Sequence, residues 1–154
     1  MGATSAEARL AELGITLPEV VPPVAAYQPT ARTGNLVFTA GQLPARDGEM
    51  VAVGKVGGAV TEEQGYECAR QCALNALAAV KAEIGSLDDV KRVVKVVVFV
   101  ASTSDFTGQP KVANGASALL GEVFGDAGLH ARSAVGVAVL PLDVPVEVEI
   151  IVEV

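Results

Sequence analysis

The feature that most constrains the fold is the last nine residues. Val146, Val148, Ile150, Val152 and Val154 alternate with Glu147, Glu149, Ile151 and Glu153. A period of two is the signature of a strand with one buried face, because successive side chains point to opposite sides. Here one face is continuously apolar and the other carries carboxylates. The chain must therefore build a sheet and cover one side of it. With an aromatic share of 4% and no Trp, that core has to come from Val, Leu, Ile and Ala.

The cover is legible too. Thr61 and Gln64 form a capping box, and Gly85 closes the helix that they open. Ala69, Cys72, Ala73, Ala76, Val80 and Ile84 recur along it at helical spacing, a narrow stripe suited to close packing on a sheet. Pro110 opens a second long helix, with Val112, Ala116, Leu119, Leu120 and Val123 on one face. A short helix is expected over Thr4–Leu13, with Thr4 as cap, Glu7 at the capping-box position and Gly14 as stop. Four of the eight prolines lie between Pro18 and Pro29, so an extended lead-in follows.

Strands are expected at Val24–Ala31, Leu36–Ala40, Lys91–Val100, Ser133–Val139 and Val146–Val154, with a mobile glycine-rich loop from Asp47 to Gly58. Strands mixed with two longer helices imply an α+β fold, a mixed sheet with both helices on one face. A length of 154 residues suits one domain, 1–154, with 1–22 as a helical and proline-rich leader.

Charge narrows the functional classes. Eleven basic residues against eighteen acidic ones give a net charge of -7, poor material for phosphate contacts. Nucleic acid is therefore not the expected partner. No apolar stretch reaches the ~20 residues of a membrane span, and the charged N-terminus is not a signal peptide. Hydrophobic content of 51% exceeds what a small monomer needs, so partner subunits are expected to cover some of it. Cys68 and Cys72 lie four apart on one helix face and read as buried free thiols of a reducing cytoplasm. One His and two Cys are too few for an ordinary zinc site, so no metal is expected.

One residue is out of place. Residues 127–142 read AGLHARSAVGVAVLPL, and Arg132 is the sole charged group among them. On an alternating strand Arg132 shares its face with Ala134, Gly136 and Ala138, so a fixed cation stands over a floor of small residues. A desolvated guanidinium needs a partner, and its planar fork suits a carboxylate. Two readings follow. Arg132 either forms an intersubunit or surface salt bridge with Glu147 or Glu149, which lie across from it should the two strands pair, or it lines a pocket for a small carboxylate with an acid or base nearby. His130 reads as a loop residue at the rim of such a pocket. No nucleophile elbow surrounds Ser133. The run Gly54–Gly58 fits neither phosphate-binding fingerprint.

Three segments resemble the RidA/YjgF family: Gly34–Pro44 (GNLVFTAGQLP), Val90–Val100 followed by Asp105-Phe106, and Ala131–Glu149 (ARSAVGVAVLPLDVPVEVE). The leader and the GLHARSAVGVA wording look like its longer subgroup of about 150 residues. The resemblance implies a chorismate-mutase-like fold and a homotrimer with a site in each cleft between subunits. It also implies cofactor-independent hydrolysis of enamine and imine intermediates of the 2-aminoacrylate type to 2-oxo acids and ammonia. Arg132 matches the family arginine that grips the substrate carboxylate, and Glu147 the glutamate that orients water. Tyr27 matches a tyrosine near the pocket, Asn114 a helix asparagine, and Ala134 a position that contributes its backbone N–H. The family often has Ser where Ala40 stands and Cys where Ala134 stands. A trimer that binds a small carboxylate as a sensor, without turnover, is the alternative.

Overall fold

The computed structural model describes residues 4–20, 22, 23 and 25–154. Its centre is a five-stranded sheet in the order β1-β2-β7-β5-β6. The strands are β1 (Thr30–Thr33), β2 (Leu36–Thr39), β5 (Arg92–Ala101), β6 (Ala131–Val137) and β7 (Val146–Glu153). β5 and β6 run parallel, and every other pair is antiparallel. A short hairpin, β3 (Ala45–Arg46) with β4 (Glu49–Met50), lies apart from the sheet.

The alternation of β7 does what its spacing predicts. Val146, Val148, Ile150 and Val152 are buried, while the intervening residues are half-exposed. β5 matches it with buried Val93, Val96, Val98 and Val100. Two helices cover this face: α2 (Glu62–Ile84) and α3 (Gln109–Phe124). The capping box of α2 is formed as expected, with Gln64 N–H donating to Thr61 Oγ1 and Thr61 N–H to Gln64 Oε1. In the small-residue stripe of α2, Ala69, Cys72, Ala73, Ala76 and Val80 are buried and Ile84 is half-buried. Its reason is close approach. A Cβ at Gly115 of α3 would collide with the carbonyl of Tyr66 on α2, so only glycine admits this helix crossing. The second sheet face, with Phe38, Val97, Phe99, Val135 and Ile151, carries none of the described helices.

Four expectations are corrected. Ser5, not Thr4, caps α1 (Ala6–Glu12), accepting from Ala8 N–H. Glu7 therefore closes no capping box. Its carboxylate accepts from Lys81 Nζ at 2.9 Å and from Leu87 N–H at 3.0 Å, which locks the leader helix to the end of α2. The first strand begins at Thr30, since Pro29 cannot donate to a ladder; Val24 lies outside the described residues. β6 runs from Ala131 and stops at Val137, where its parallel partner β5 ends opposite it at Ala101. The glycine-rich segment is no free loop. It holds the turn and second strand of the β3–β4 hairpin, and Val56 is fully buried, with its N–H on Ala101 O and its C=O on Thr103 N–H.

Cys68 and Cys72 are free and buried, as expected. Burial pushes the Cys68 thiol up to about 11 and that of Cys72 well above its ordinary value. Both stay protonated and unreactive at neutral pH.

Candidate functional site

Arg132 enters β6 one residue after the strand begins, in register with Val96 of β5. Val96 is buried under the helices, so the Arg132 side chain rises on the helix face. There it meets α3. Its Nη1 donates to Asn114 Oδ1 at 2.8 Å and to Ser117 Oγ at 3.1 Å. Asn114 and Ser117 are three apart and share one helix face. Among the described residues, both hydrogen bonds to the guanidinium fall on Nη1. The Nε–Nη2 edge, the side of the fork that grips a carboxylate in two parallel bonds, is thus left available.

Ser117 continues the network. His130 lies at 2.9 Å through Nε2, and its Nδ1 lies 2.6 Å from the carbonyl of Gly128. A carbonyl only accepts, so Nδ1 is a donor, and in the neutral imidazole that tautomer makes Nε2 the acceptor. To that tautomer the Ser117 hydroxyl donates, while its oxygen accepts from Arg132.

The pairing of β6 with β7, on which a salt bridge from Arg132 within the chain depends, is not made. β5 lies between β6 and β7, and Glu147 is in register with Phe99, as is Val135. Glu147 and Glu149 alternate with the buried valines and so point to the uncovered face, opposite to Arg132. Two strand spacings and three residues of rise put the Arg132 and Glu147 Cα atoms about 14 Å apart. An Arg132–Glu147 or Arg132–Glu149 salt bridge within one chain is therefore excluded by sheet order.

Glu147 has its own surroundings. Its carboxyl rests on the Cα of Gly41, where a side chain of any size would overlap Glu147 Oε1. Burial first, and the charge of Glu149 second, raise the Glu147 carboxyl above its ordinary value. Gly41 is held in place from both sides. Ala40 N–H donates to Pro29 O and Gln42 exchanges backbone bonds with Val148. Asn75 of α2 donates to Leu43 O and Ala45 O at 2.9 and 3.0 Å. Tyr27 is exposed, three residues before β1. β1 and β6 are the two edges of the sheet, so Tyr27 and Arg132 lie at opposite ends of one chain.

The structure thus sorts the candidate residues into two halves. Arg132, Ala134, Asn114 and His130 belong to the β6–α3 half, and Glu147, Ala40 and Tyr27 to the β1–β2–β7 side. Sequence reading missed Ser117 and Gly41. The i, i+3 spacing of Ser117 from Asn114 was an available signal; the glycine under Glu147 had none, because the two meet only through strand pairing. Among the described residues, no group of three or more His, Cys, Asp or Glu side chains could hold a metal ion. No described helix is long and apolar enough to cross a membrane.

Comparison with known proteins agrees with this architecture. A family model described as "YjgF/chorismate mutase-like, putative endoribonuclease" matches residues 7–154. Protein TCP17 of Trypanosoma cruzi is 46% identical over 147 residues, 95% of this chain and 92% of that protein. A 2-iminobutanoate/2-iminopropanoate deaminase of Dermatophagoides farinae is 32% identical over 140 residues, 90% of this chain and 93% of that protein. The crystal structure of an Agrobacterium tumefaciens protein of unknown function superposes with a TM-score of 0.90 at 45% identity, covering 97% of this chain and 92% of that one. The same mixed sheet with two covering helices, and the same sequence pattern over nearly the whole length, make this chain a member of the YjgF/chorismate-mutase-like family.

Proposed function

We propose that this protein hydrolyses reactive 2-imino acids to 2-oxo acids and ammonia at a site completed by a second copy of the chain. The observation that carries this reading is the guanidinium of Arg132, tied to α3 through Nη1 and carrying a carboxylate-shaped edge with no acidic partner among the described residues. The mite deaminase relative supports the reaction class. The network around Arg132 also favours a ligand over an internal salt bridge, because β5 separates Arg132 from β7 and the alternation of β7 puts Glu147 and Glu149 on the other face.

The chemistry needs little apparatus. The Arg132 edge and the Ala134 backbone N–H hold the substrate carboxylate. β6 is an edge strand, so part of its backbone faces away from β5. Asn114 fixes Arg132. Glu147 of a neighbouring copy, with Tyr27 beside it, orients a water on the C=N carbon. Water adds to that carbon, its proton passes to nitrogen, and the resulting carbinolamine expels ammonia to leave the 2-oxo acid. A protonated imine is already electrophilic, so orientation and charge complementarity supply the catalysis and no cofactor takes part.

The two halves of the site belong to different faces and edges of one sheet. A homotrimer, with the uncovered apolar face turned inward and each edge meeting a neighbour, brings them together. We take residues 1–154 as one such domain, working in a reducing cytoplasm where Cys68 and Cys72 remain thiols. RNA cleavage, the activity in the family model's description, is disfavoured by the net charge of -7.

The test is release of 2-oxo acid and ammonia from freshly generated 2-imino acids. Two charge-assisted hydrogen bonds at roughly 1.5–3 kcal/mol each make a loss of about 10²-fold or more in kcat/KM the expected result for Arg132→Ala. Turnover by Arg132→Ala at the unaltered rate overturns the assignment. A second reading has its own observation: Ala40 and Ala134 add no polar side chain to the two halves. Thermal stabilisation by 2-oxo acids without any turnover of 2-imino acids establishes a carboxylate-binding sensor instead.

A further inference from the structure

The four-membered chain from Arg132 through Ser117 and His130 to the Gly128 carbonyl is more than a satisfied surface network. We infer that Ser117 and His130 are positioning residues that set the attitude of the Arg132 guanidinium, and so determine affinity for the substrate carboxylate. This rests on the reading of Arg132 as the carboxylate anchor and assigns two residues that this reading does not need.

The geometry is directional at each link. Gly128 O fixes Nδ1 of His130 as the donor at 2.6 Å. In the neutral imidazole that leaves Nε2 as an acceptor of a hydrogen bond from the Ser117 hydroxyl at 2.9 Å. With its proton committed, Ser117 Oγ presents lone pairs to Arg132 Nη1 at 3.1 Å. An unoriented serine would rotate freely and offer Arg132 an acceptor only part of the time. His130 removes that freedom, and the bond polarises Ser117 Oγ toward the cation.

Both ends of the relay are anchored on one rigid element. Ser117 and Asn114 are on α3. Gly128 is buried against the same helix, so closely that a Cβ there would overlap the Leu120 carbonyl and come within 3.1 Å of Gly121 N. The Gly128 carbonyl therefore cannot drift relative to Ser117. Arginine has four rotatable bonds, and two fixed acceptors on Nη1 remove most of the freedom a ligand would otherwise have to freeze on binding. The plane of the fork, and with it the direction of the Nε–Nη2 edge, is set before the carboxylate arrives.

Titration calorimetry with 2-oxobutanoate as probe, beside steady-state kinetics with 2-imino acids, tests the relay. Ser117→Ala is expected to weaken 2-oxobutanoate about 5- to 30-fold and to raise KM by a similar factor while kcat changes less. Ser117→Thr, which keeps the hydroxyl, restores binding to within about threefold. His130→Asn keeps a donor for Gly128 O but cannot reach Ser117, and is expected to lose about threefold or more. In an Arg132→Lys background, which keeps the charge and removes the fork, Ser117→Ala has no further effect. Binding by Ser117→Ala and His130→Asn within twofold of the unaltered protein, while Arg132→Ala loses it, overturns the relay alone. An undiminished effect of Ser117→Ala in the Arg132→Lys background also overturns it. Unaltered binding by Arg132→Ala overturns the anchor reading on which it rests. Melting temperatures identify any variant that does not fold, and His130→Asn, at the half-exposed rim, then decides the question without Ser117→Ala.

Discussion

Gly41→Ala isolates the Glu147 half of the site without touching an ionisable group. The new Cβ would overlap Glu147 Oε1 and lie 2.9 Å from Cδ and 3.2 Å from Cγ. Carbon atoms settle at about 3.5–4.0 Å, so the carboxyl group must retreat by roughly 0.6–1 Å. The obstructing atoms are the end of a half-exposed side chain, so the backbone can stay where it is. Gly41 is also outside the positive-φ region, and Ala adopts its conformation without strain. The substitution narrows the unfolded ensemble, which offsets the displacement by about 0.4–1 kcal/mol. The melting temperature is then expected to move by no more than about 4 °C. Activity responds differently. A misplacement of about 1 Å in a group that orients a reactant costs up to ~10²-fold, so kcat on 2-imino acids is expected to fall about 10- to 100-fold. The assay is 2-oxo acid release, run for Gly41→Ala, Glu147→Ala and the double variant. If Gly41 acts through Glu147, the double variant is no slower than Glu147→Ala. An unaltered kcat for Gly41→Ala, or a further full loss in the Glu147→Ala background, refutes the reasoning.

Glu147→Gln tests the raised carboxyl. A native pKa above the ordinary 4.5 means that the folded state holds the proton more tightly than the unfolded chain, so the favourable contribution is complete at low pH and is lost as pH rises through the raised value. Glu147→Gln is therefore expected to gain stability relative to the unaltered protein between pH 4 and pH 7 in denaturant titrations; a flat difference refutes the shift. Loss of turnover on acidification should set in above pH 4.5, where Glu147 takes up its proton. Gly115→Ala forces α3 away from the Tyr66 carbonyl and the Arg70 N–H, and overpacking of this kind costs about 1–3 kcal/mol. Calorimetry is expected to show a fall of roughly 3–10 °C, and an unchanged melting temperature refutes the close approach. Light scattering is expected to give a mass near three chains of 15.6 kDa, and a mass near one chain refutes the trimer.

Much of this molecule is legible without coordinates, where the cause is local. The period-two run of β7 and the capping box of α2 are set by residues within a few positions of one another, and both form as read. The stripe of small residues on α2 also foretold close packing, because side-chain size limits approach whatever lies opposite. Arg132 was conspicuous for the same kind of reason, a single charge in an apolar strand. The errors arise where two local rules compete or where a distant segment decides. Thr4 and Ser5 are adjacent residues that can each cap a helix, and Glu7 is drawn away by Lys81 and Leu87, more than seventy residues on. Strand order decided the site. Whether Arg132 faces Glu147 depends on which strand lies between β6 and β7, and no alternation pattern contains that information. By placing β5 there, the tertiary structure set the cation and the carboxylates two strands apart, and the register of each strand put them on opposite faces of one sheet. Sequence determined which groups can do chemistry, since periodicity and charge are properties of neighbours along the chain. Only the fold decided which of them meet, because strand pairing is a contact between residues far apart in sequence.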